Sequence, residues 1–256
     1  MAELQIDPAR VRWAVDGAPA SEAEALAALA DRPLLVLMHG YGSFEGDLIE
    51  LAPFLPSAVC ASPRAPLVAP APVENGYAWF PLSFGAQGLA HDPTPDRFEG
   101  TAPHAAAVAA LAWIDGVVER ALEAGAERRP SVALLGFSQG GAMVTSLLRL
   151  RPGGFAAGAI CSGFVPAGAY DGDRELAAAR PPVFWGRDVE DPVIDAARIA
   201  RTAEWLPERT SLVYREYTGI LHGIGRDELD DIAAFLRPLL ADERASAAGA
   251  DGADQR

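Results

Sequence analysis

The stretch Ser131 to Met143 (Ser-Val-Ala-Leu-Leu-Gly-Phe-Ser-Gln-Gly-Gly-Ala-Met) constrains this chain more than any other. Val132 to Leu135 is a short apolar, β-prone run, the length of a strand covered on both faces. Gly136-Phe137-Ser138-Gln139-Gly140 follows and fits G-x-S-x-G, after which Ala142 to Leu150 reads as a helix. A strand turning sharply into a helix through such a pentapeptide holds its serine in a strained conformation, with the hydroxyl standing above the sheet. The residues two before and two after that serine must then lack a Cβ. The helix N-terminus behind it favours developing negative charge.

A serine hydroxyl is a poor nucleophile until a base takes its proton, and the base needs a carboxylate to fix its tautomer. The chain has four histidines, His39, His91, His104 and His222, and only His222 follows Ser138. It stands in Leu221-His222-Gly223-Ile224, between the last strand signal and the last helix signal, so its loop is expected at the same end of the sheet as Ser138. The acid is expected after the strand Pro182 to Trp185, where Asp188, Glu190, Asp191 and Asp195 are available. Asp191 is favoured: Pro192 stiffens the turn just past it and Val193-Ile194 anchor the loop. Asp188 and then Glu190 remain open. An oxyanion needs preorganised N–H donors. Gln139 offers one and the loop His39-Gly40-Tyr41-Gly42 the other, with Tyr41 preferred and Gly42 the alternative. His39, just before that loop, suits a structural hydrogen bond better than catalysis.

Along the chain, Val11 to Val15 reads as an opening edge strand and Ser21 to Ala30 as a linker or short helix. Pro33 to Met38 and Ala58 to Ala61 read as strands around a helical pattern over Asp47 to Leu55. Leu67 to Gly100 has no long periodic element; its aromatics, Trp79 and Phe80 among them, either cap the core or line an acyl pocket. Thr101 to Ala124 is a long helix whose apolar stripe includes Val108, with His104 a surface or capping residue. Beyond the central motif come a strand at Phe155 to Ser162, a variable segment to Arg180, and a strand at Pro182 to Trp185. A helix at Ala196 to Leu206, a strand at Thr210 to Tyr217, and a last helix ended or kinked by Pro238 complete the pattern. This alternation predicts a mostly parallel central sheet flanked by helices on both faces, in one domain over residues 1–244. Residues 245–256 are small and polar and are expected to be disordered.

With 256 residues, half of them hydrophobic, the chain can bury a sizeable core. Its net charge of −14 argues against nucleic acid or an anionic membrane as partner. No apolar run approaches a membrane span and no secretory signal is visible, so a cytoplasmic location is expected. Cys60 and Cys161 read as buried free thiols. The chain contains no lysine, which removes Schiff-base, P-loop and kinase-type lysines together, and no G-x-G-x-x-G follows a strand. Phosphoryl-transfer, pyridoxal and dinucleotide chemistries are thereby disfavoured.

Several motifs taken in order resemble the phospholipase/carboxylesterase family of α/β-hydrolases, which includes acyl-protein thioesterases and bacterial carboxylesterases. They are Leu37-Met38-His39-Gly40-Tyr41-Gly42, Pro63-Arg64-Ala65-Pro66, Tyr77-Ala78-Trp79-Phe80, Gly136-Phe137-Ser138-Gln139-Gly140-Gly141, Asp191-Pro192-Val193-Ile194 and His222-Gly223-Ile224. The resemblance runs from about Pro33 to Leu240 and implies the α/β-hydrolase fold. By it Ser138, Asp191 and His222 form a catalytic triad, Tyr41 and Gln139 supply the oxyanion N–H groups, and the stretch at Trp79 and Phe80 borders the acyl site. Two departures stand out. Trp185-Gly186 replaces the family's His-Gly and lies farther from Asp191, and Ser43 follows Gly42 where aspartate is usual.

The expected activity is hydrolysis of carboxylic esters through an acyl-enzyme on Ser138, with a small-molecule ester as partner and neither metal nor organic cofactor required. The apolar loop suggests uncharged acyl or aryl esters of short to medium chain, and the acidic surface disfavours anionic head groups. A thioesterase or lysophospholipase would use the same machinery. An idle hydrolase-fold binding module is the alternative from another class.

Overall fold

The computed structural model describes residues 4–71, 73, 75–85, 88–90 and 95–241; the stretch 245–256 lies outside them. The chain opens with a hairpin, β1 (Val11–Val15) and β2 (Ala18–Ala20). Asp16 and Gly17 turn it, both at positive φ (48° and 83°). Asp-Gly is the residue pair such tight turns require. Here the sequence expectation fails: β1 is not the sheet edge, because the hairpin lays β2 outside it.

Six parallel strands follow: β3 (Leu34–Met38), β4 (Val59–Pro63), β5 (Val132–Phe137), β6 (Ala157–Cys161), β7 (Pro182–Asp188) and β8 (Ser211–Tyr217). The eight-stranded sheet has the order β8-β7-β6-β5-β3-β4-β1-β2, with β1 antiparallel to both neighbours. Strand β7 runs three residues beyond the expected Trp185, because Gly186, Arg187 and Asp188 pair with Arg215, Glu216 and Tyr217.

The helices are α1 (Glu22–Ala28), α2 (Ala102–Glu123), α3 (Gln139–Leu150), α4 (Gly172–Ala179), α5 (Ala196–Arg209) and α6 (Arg226–Leu239). They cover both faces of the sheet because side chains alternate along each strand. Leu34, Val36 and Met38 of β3 pack with Trp113, Ile114 and Val117 of α2 and Met143 and Leu147 of α3. Leu35 and Leu37 point the other way, to Ile232 and Leu236 of α6. Each such burial contributes about 1.5–3 kcal/mol.

Three helical readings change. Asp47 to Leu55 forms a 3-10 helix, Leu48–Phe54, around Pro53, which has no N–H to give to a longer α ladder. Helix α4 lies in the segment read as variable; it buries only Leu176, too little to produce a period. Val108 points to solvent, while Ala106, Ala107, Ala110 and Trp113 join Ile114, Val117 and Val118 on the inner face of α2. Pro238 does close the last helix, one residue before its end, and both cysteines are buried free thiols.

Candidate active site

Ser138 joins β5 to α3 at φ 54°, ψ −113°, outside the regions an L-residue favours. The turn is possible because its flanking glycines have no side chain. A Cβ on Gly136 would stand 2.1 Å from the Gly140 carbonyl oxygen, and one on Gly140 1.8 Å from that of Met38. The Ser138 N–H donates to the Cys161 carbonyl at 2.8 Å, tying the turn to β6. The residue is 8 % exposed.

His222 approaches from the loop between β8 and α6. Its Nε2 lies 2.9 Å from Ser138 Oγ and its Nδ1 2.9 Å from Asp191 Oδ2, while its ring rests against Phe137, 5.0 Å between centroids. Burial alone would raise the Asp191 carboxyl. Hydrogen bonds from the His222 ring and from the N–H groups of Ile194 and Val193 outweigh it and hold the group below its ordinary value. Asp191 is therefore an anion facing the imidazole.

Asp188, the other leading acid in the sequence, does something else. Its Oδ2 accepts the N–H groups of Ile220 and Leu221, both at 2.7 Å, and its Oδ1 that of Glu190 at 2.8 Å. These backbone donors, Glu190 first, lower its pKa. Buried at the end of β7, it fastens the loop that carries His222, in which Leu221 adopts φ 52°. Nothing in the spacing distinguishes the two carboxylates; the extra length of β7 does. Asp195 is also engaged elsewhere, as the N-cap of α5 and the partner of Arg198.

Opposite His222 runs the loop after β3. The N–H of Gly42 donates to the Tyr77 carbonyl at 2.8 Å, which leaves Tyr41 as this loop's oxyanion candidate. The N–H of Gln139 opens α3, a position with no intrahelical acceptor. The Gln139 side chain spans the gap between the two walls: its Oε1 accepts the Trp79 N–H (2.9 Å) and its Nε2 donates to the Phe80 carbonyl (2.7 Å). Trp79 Nε1 in turn donates to the His39 carbonyl at 2.8 Å. His39 is buried; burial lowers its pKa, and its Nε2 accepts the Ala65 N–H at 3.1 Å. It is structural, as its position suggested. Arg64 binds Glu45 through both ends of its fork and lies 4.3 Å over the Tyr77 ring, so the Pro63–Pro66 and Tyr77–Phe80 motifs are the scaffold of this loop.

The two residues expected at the acyl site separate. Trp79 is fully buried behind the loop. Phe80 lines a cavity of about 330 Å³, whose apolar wall continues through Leu82, Phe164 and Pro166. Of the remaining histidines, His104 accepts the Gly100 N–H near the start of α2, and His91 lies outside the described residues. Among the described residues no three His, Cys, Asp or Glu side chains are placed to hold a metal ion, and no helix is long and apolar enough to cross a membrane.

The strand–turn–helix serine and its parallel sheet define the molecule as an α/β-hydrolase. The chain belongs to the phospholipase/carboxylesterase family, whose model matches residues 25–240; its members are hydrolases of the carboxylesterase type. A probable carboxylesterase of Oryza sativa subsp. japonica is 28 % identical over 109 residues, 42 % of this chain and 41 % of that protein. The matched stretch spans less than half the length of the curated relatives. Among solved structures, esterase PE8 superposes with a TM-score of 0.63 at 29 % identity, covering 93 % of this chain and all of that one. Acyl-protein thioesterase 2 of Zea mays shares the fold, with a TM-score of 0.60 at 17 % identity over 82 % of this chain and 95 % of that one.

Proposed function

We propose that this chain is a serine esterase that cleaves carboxylic esters, of short to medium acyl or aryl type, through an acyl-enzyme on Ser138. The observation that carries the reading is the hydrogen-bonded line from Asp191 through His222 to Ser138, ending at a backbone strained to present the hydroxyl. Ser138 Oγ attacks the ester carbonyl while His222 Nε2 takes its proton. Asp191 keeps the Nδ1 proton in place and stabilises the imidazolium. The N–H groups of Tyr41 and Gln139 receive the oxyanion. His222 then protonates the leaving alcohol, and a water activated by the same imidazole releases the acid.

The cavity bounded by Phe80, Leu82 and Phe164 suits the acyl portion. Trp79 supports that site from behind through its bonds to Gln139 and His39. The two reduced, buried thiols favour a cytoplasmic setting. Turnover of p-nitrophenyl esters of increasing acyl length tests the proposal. Ser138→Ala should lower kcat by roughly six orders of magnitude with the fold intact by circular dichroism. Parallel assays on acyl thioesters and lysophospholipids rank those substrates against simple esters. Wild-type protein that turns over none of them would point to a binding module.

A further inference from the structure

Three arginines stand at the cavity lined by Phe80 and Phe164, Arg198 and Arg201 in its wall together with Asp195 and Arg149 close behind it, and the fold treats them differently. Arg149, fully buried on α3, has its charge matched within the protein: Asp173 accepts from its Nε at 2.7 Å and its Nη2 at 2.8 Å, and the carbonyls of Pro166 and Gly168 take further N–H groups. Arg201, half-buried on α5, lines the cavity itself. Its Nε donates to the Val165 carbonyl at 3.1 Å, which leaves the two Nη groups for other acceptors. Among the described residues no carboxylate lies within ion-pair distance of it. The charges that act on it are Arg198, one turn earlier, and Asp195. Asp195 is already the partner of Arg198 and the cap of α5. Burial and the Arg198 charge pull the Arg201 guanidinium below its ordinary pKa, with only Asp195 opposing. It stays a cation at neutral pH all the same, only partly withdrawn from water and matched by no carboxylate at ion-pair distance among the described residues.

The cavity wall is tied to the Ser138 turn and its helix at two points. One is Phe80, whose carbonyl is held by the side chain of Gln139, the residue after Ser138. The other is Phe164, next to Gly163, which packs on Gly141 of the same helix. Val165, which follows, is bonded to both Thr202 and Arg201 of α5. An acyl chain on Ser138 Oγ that enters this space passes between the apolar side chains of Phe80, Leu82 and Phe164 and meets the Arg201 guanidinium. The acyl group stays bound through the covalent step while the alcohol must leave, so the acyl group is the part that gains from a built cavity.

We infer that Arg201 receives a carboxylate at the far end of the acyl chain, so that the preferred substrates are half-esters of dicarboxylic acids. The inference rests on the esterase reading above and narrows its substrate. A planar guanidinium with two Nη groups available matches the two oxygens of one carboxylate, and a single unmatched positive charge suits a single negative one. The acidic surface does not oppose this at contact range, because its field is screened over about 8 Å at physiological salt.

The test compares 4-nitrophenyl hydrogen adipate with 4-nitrophenyl methyl adipate, which differ only in the terminal methyl that removes the charge. Wild-type kcat/KM should favour the free carboxylate by roughly 10- to 100-fold, as charge-assisted hydrogen bonds allow. Arg201→Met and Arg201→Gln should abolish the preference, and Arg201→Lys should restore part of it. A wild type that prefers the methylated ester, or a preference unchanged in both Arg201→Met and Arg201→Gln, overturns the inference while leaving the esterase reading in place. Calorimetry on Ser138→Ala protein gives a readout that needs no turnover. Monomethyl adipate should bind roughly tenfold or more tightly than dimethyl adipate, and the difference should vanish when Arg201→Met is added. That result without esterase activity in the wild type would retain the anion site and reject the esterase reading; equal affinities for the two ligands would reject the site.

Discussion

Asp188 ends β7 and Asp191 follows in the loop, and each carboxylate is engaged by a different part of the molecule: Asp191 by the His222 ring, Asp188 by the backbone just before it. Substitution should separate the two roles. Asp191→Asn keeps the shape but presents an amide to Nδ1, favouring the wrong tautomer, and should lower kcat by about 10⁴-fold with little change in melting temperature. Asp188→Asn turns its NH₂ or its weaker carbonyl toward two N–H donors. It should lower the melting temperature and broaden the His222 ring resonances, with a smaller loss of kcat. Steady-state kinetics and thermal melts on both variants check this, and an exchanged pattern would mean that the acid has been misassigned. At this scale the sequence was informative where one residue type had few places to be. His222 was the only histidine after Ser138, and the glycines around Ser138 answered to a steric demand. Among the acidic side chains from Asp188 to Asp195 it favoured Asp191 through the Pro192 turn but left Asp188 and Glu190 open, because backbone hydrogen bonds, not spacing, decide which one faces the imidazole. Arg201 was unreadable for the same reason: an arginine without a partner looks in sequence like any other.

At the scale of the element, α6 carries an unusual burden. Glu228, in its first turn, is fully buried against β7, where a Cβ on Gly186 would stand 2.3 Å from its Oε1. Neither carboxyl oxygen has a hydrogen-bond partner among the described residues. Burial pushes its pKa up from 4.5 to about 8; Asp231 adds to the rise, and the nearby Gly225 N–H and Cys161 thiol, both outside good hydrogen-bonding geometry, offset only part of it. The missing side chain of Gly186 makes room for that carboxyl. The unfolded chain releases this proton near pH 4.5 while the folded protein keeps it to about pH 8. The stability from the neutral, buried form is therefore complete below 4.5, falls as pH rises through that interval, and is fully lost above 8. The slope for one proton is about 1.4 kcal/mol per pH unit. Glu228→Gln should flatten the dependence of unfolding free energy on pH across this window, measured by urea titration. A variant as steep as wild type would show that Glu228 is not the group responsible. Among the elements, those with a strong period or a distinctive turn, such as α2 and the Ser138 turn, were legible. Helix α4, held by one buried leucine, and the β1–β2 hairpin, set by a two-residue turn, were not.

At the scale of the whole molecule, the alternation of apolar strands with amphipathic helices was enough to predict a parallel sheet covered on both faces, because each strand must bury both of its sides. The order of those strands is a matter of which crossovers pack, and it brings three loops, after β3, β5 and β7, to one end of the sheet with the His222 loop. In the proposed reading this convergence makes Ser138 a nucleophile. A fluorophosphonate probe followed by peptide mapping measures that directly. One label per chain is expected, on Ser138, absent in Ser138→Ala and slowed at least a hundredfold in His222→Ala, since the base supplies most of the activation. Labelling that persists in Ser138→Ala, or a wild-type protein that stays unlabelled while folded, would contradict it.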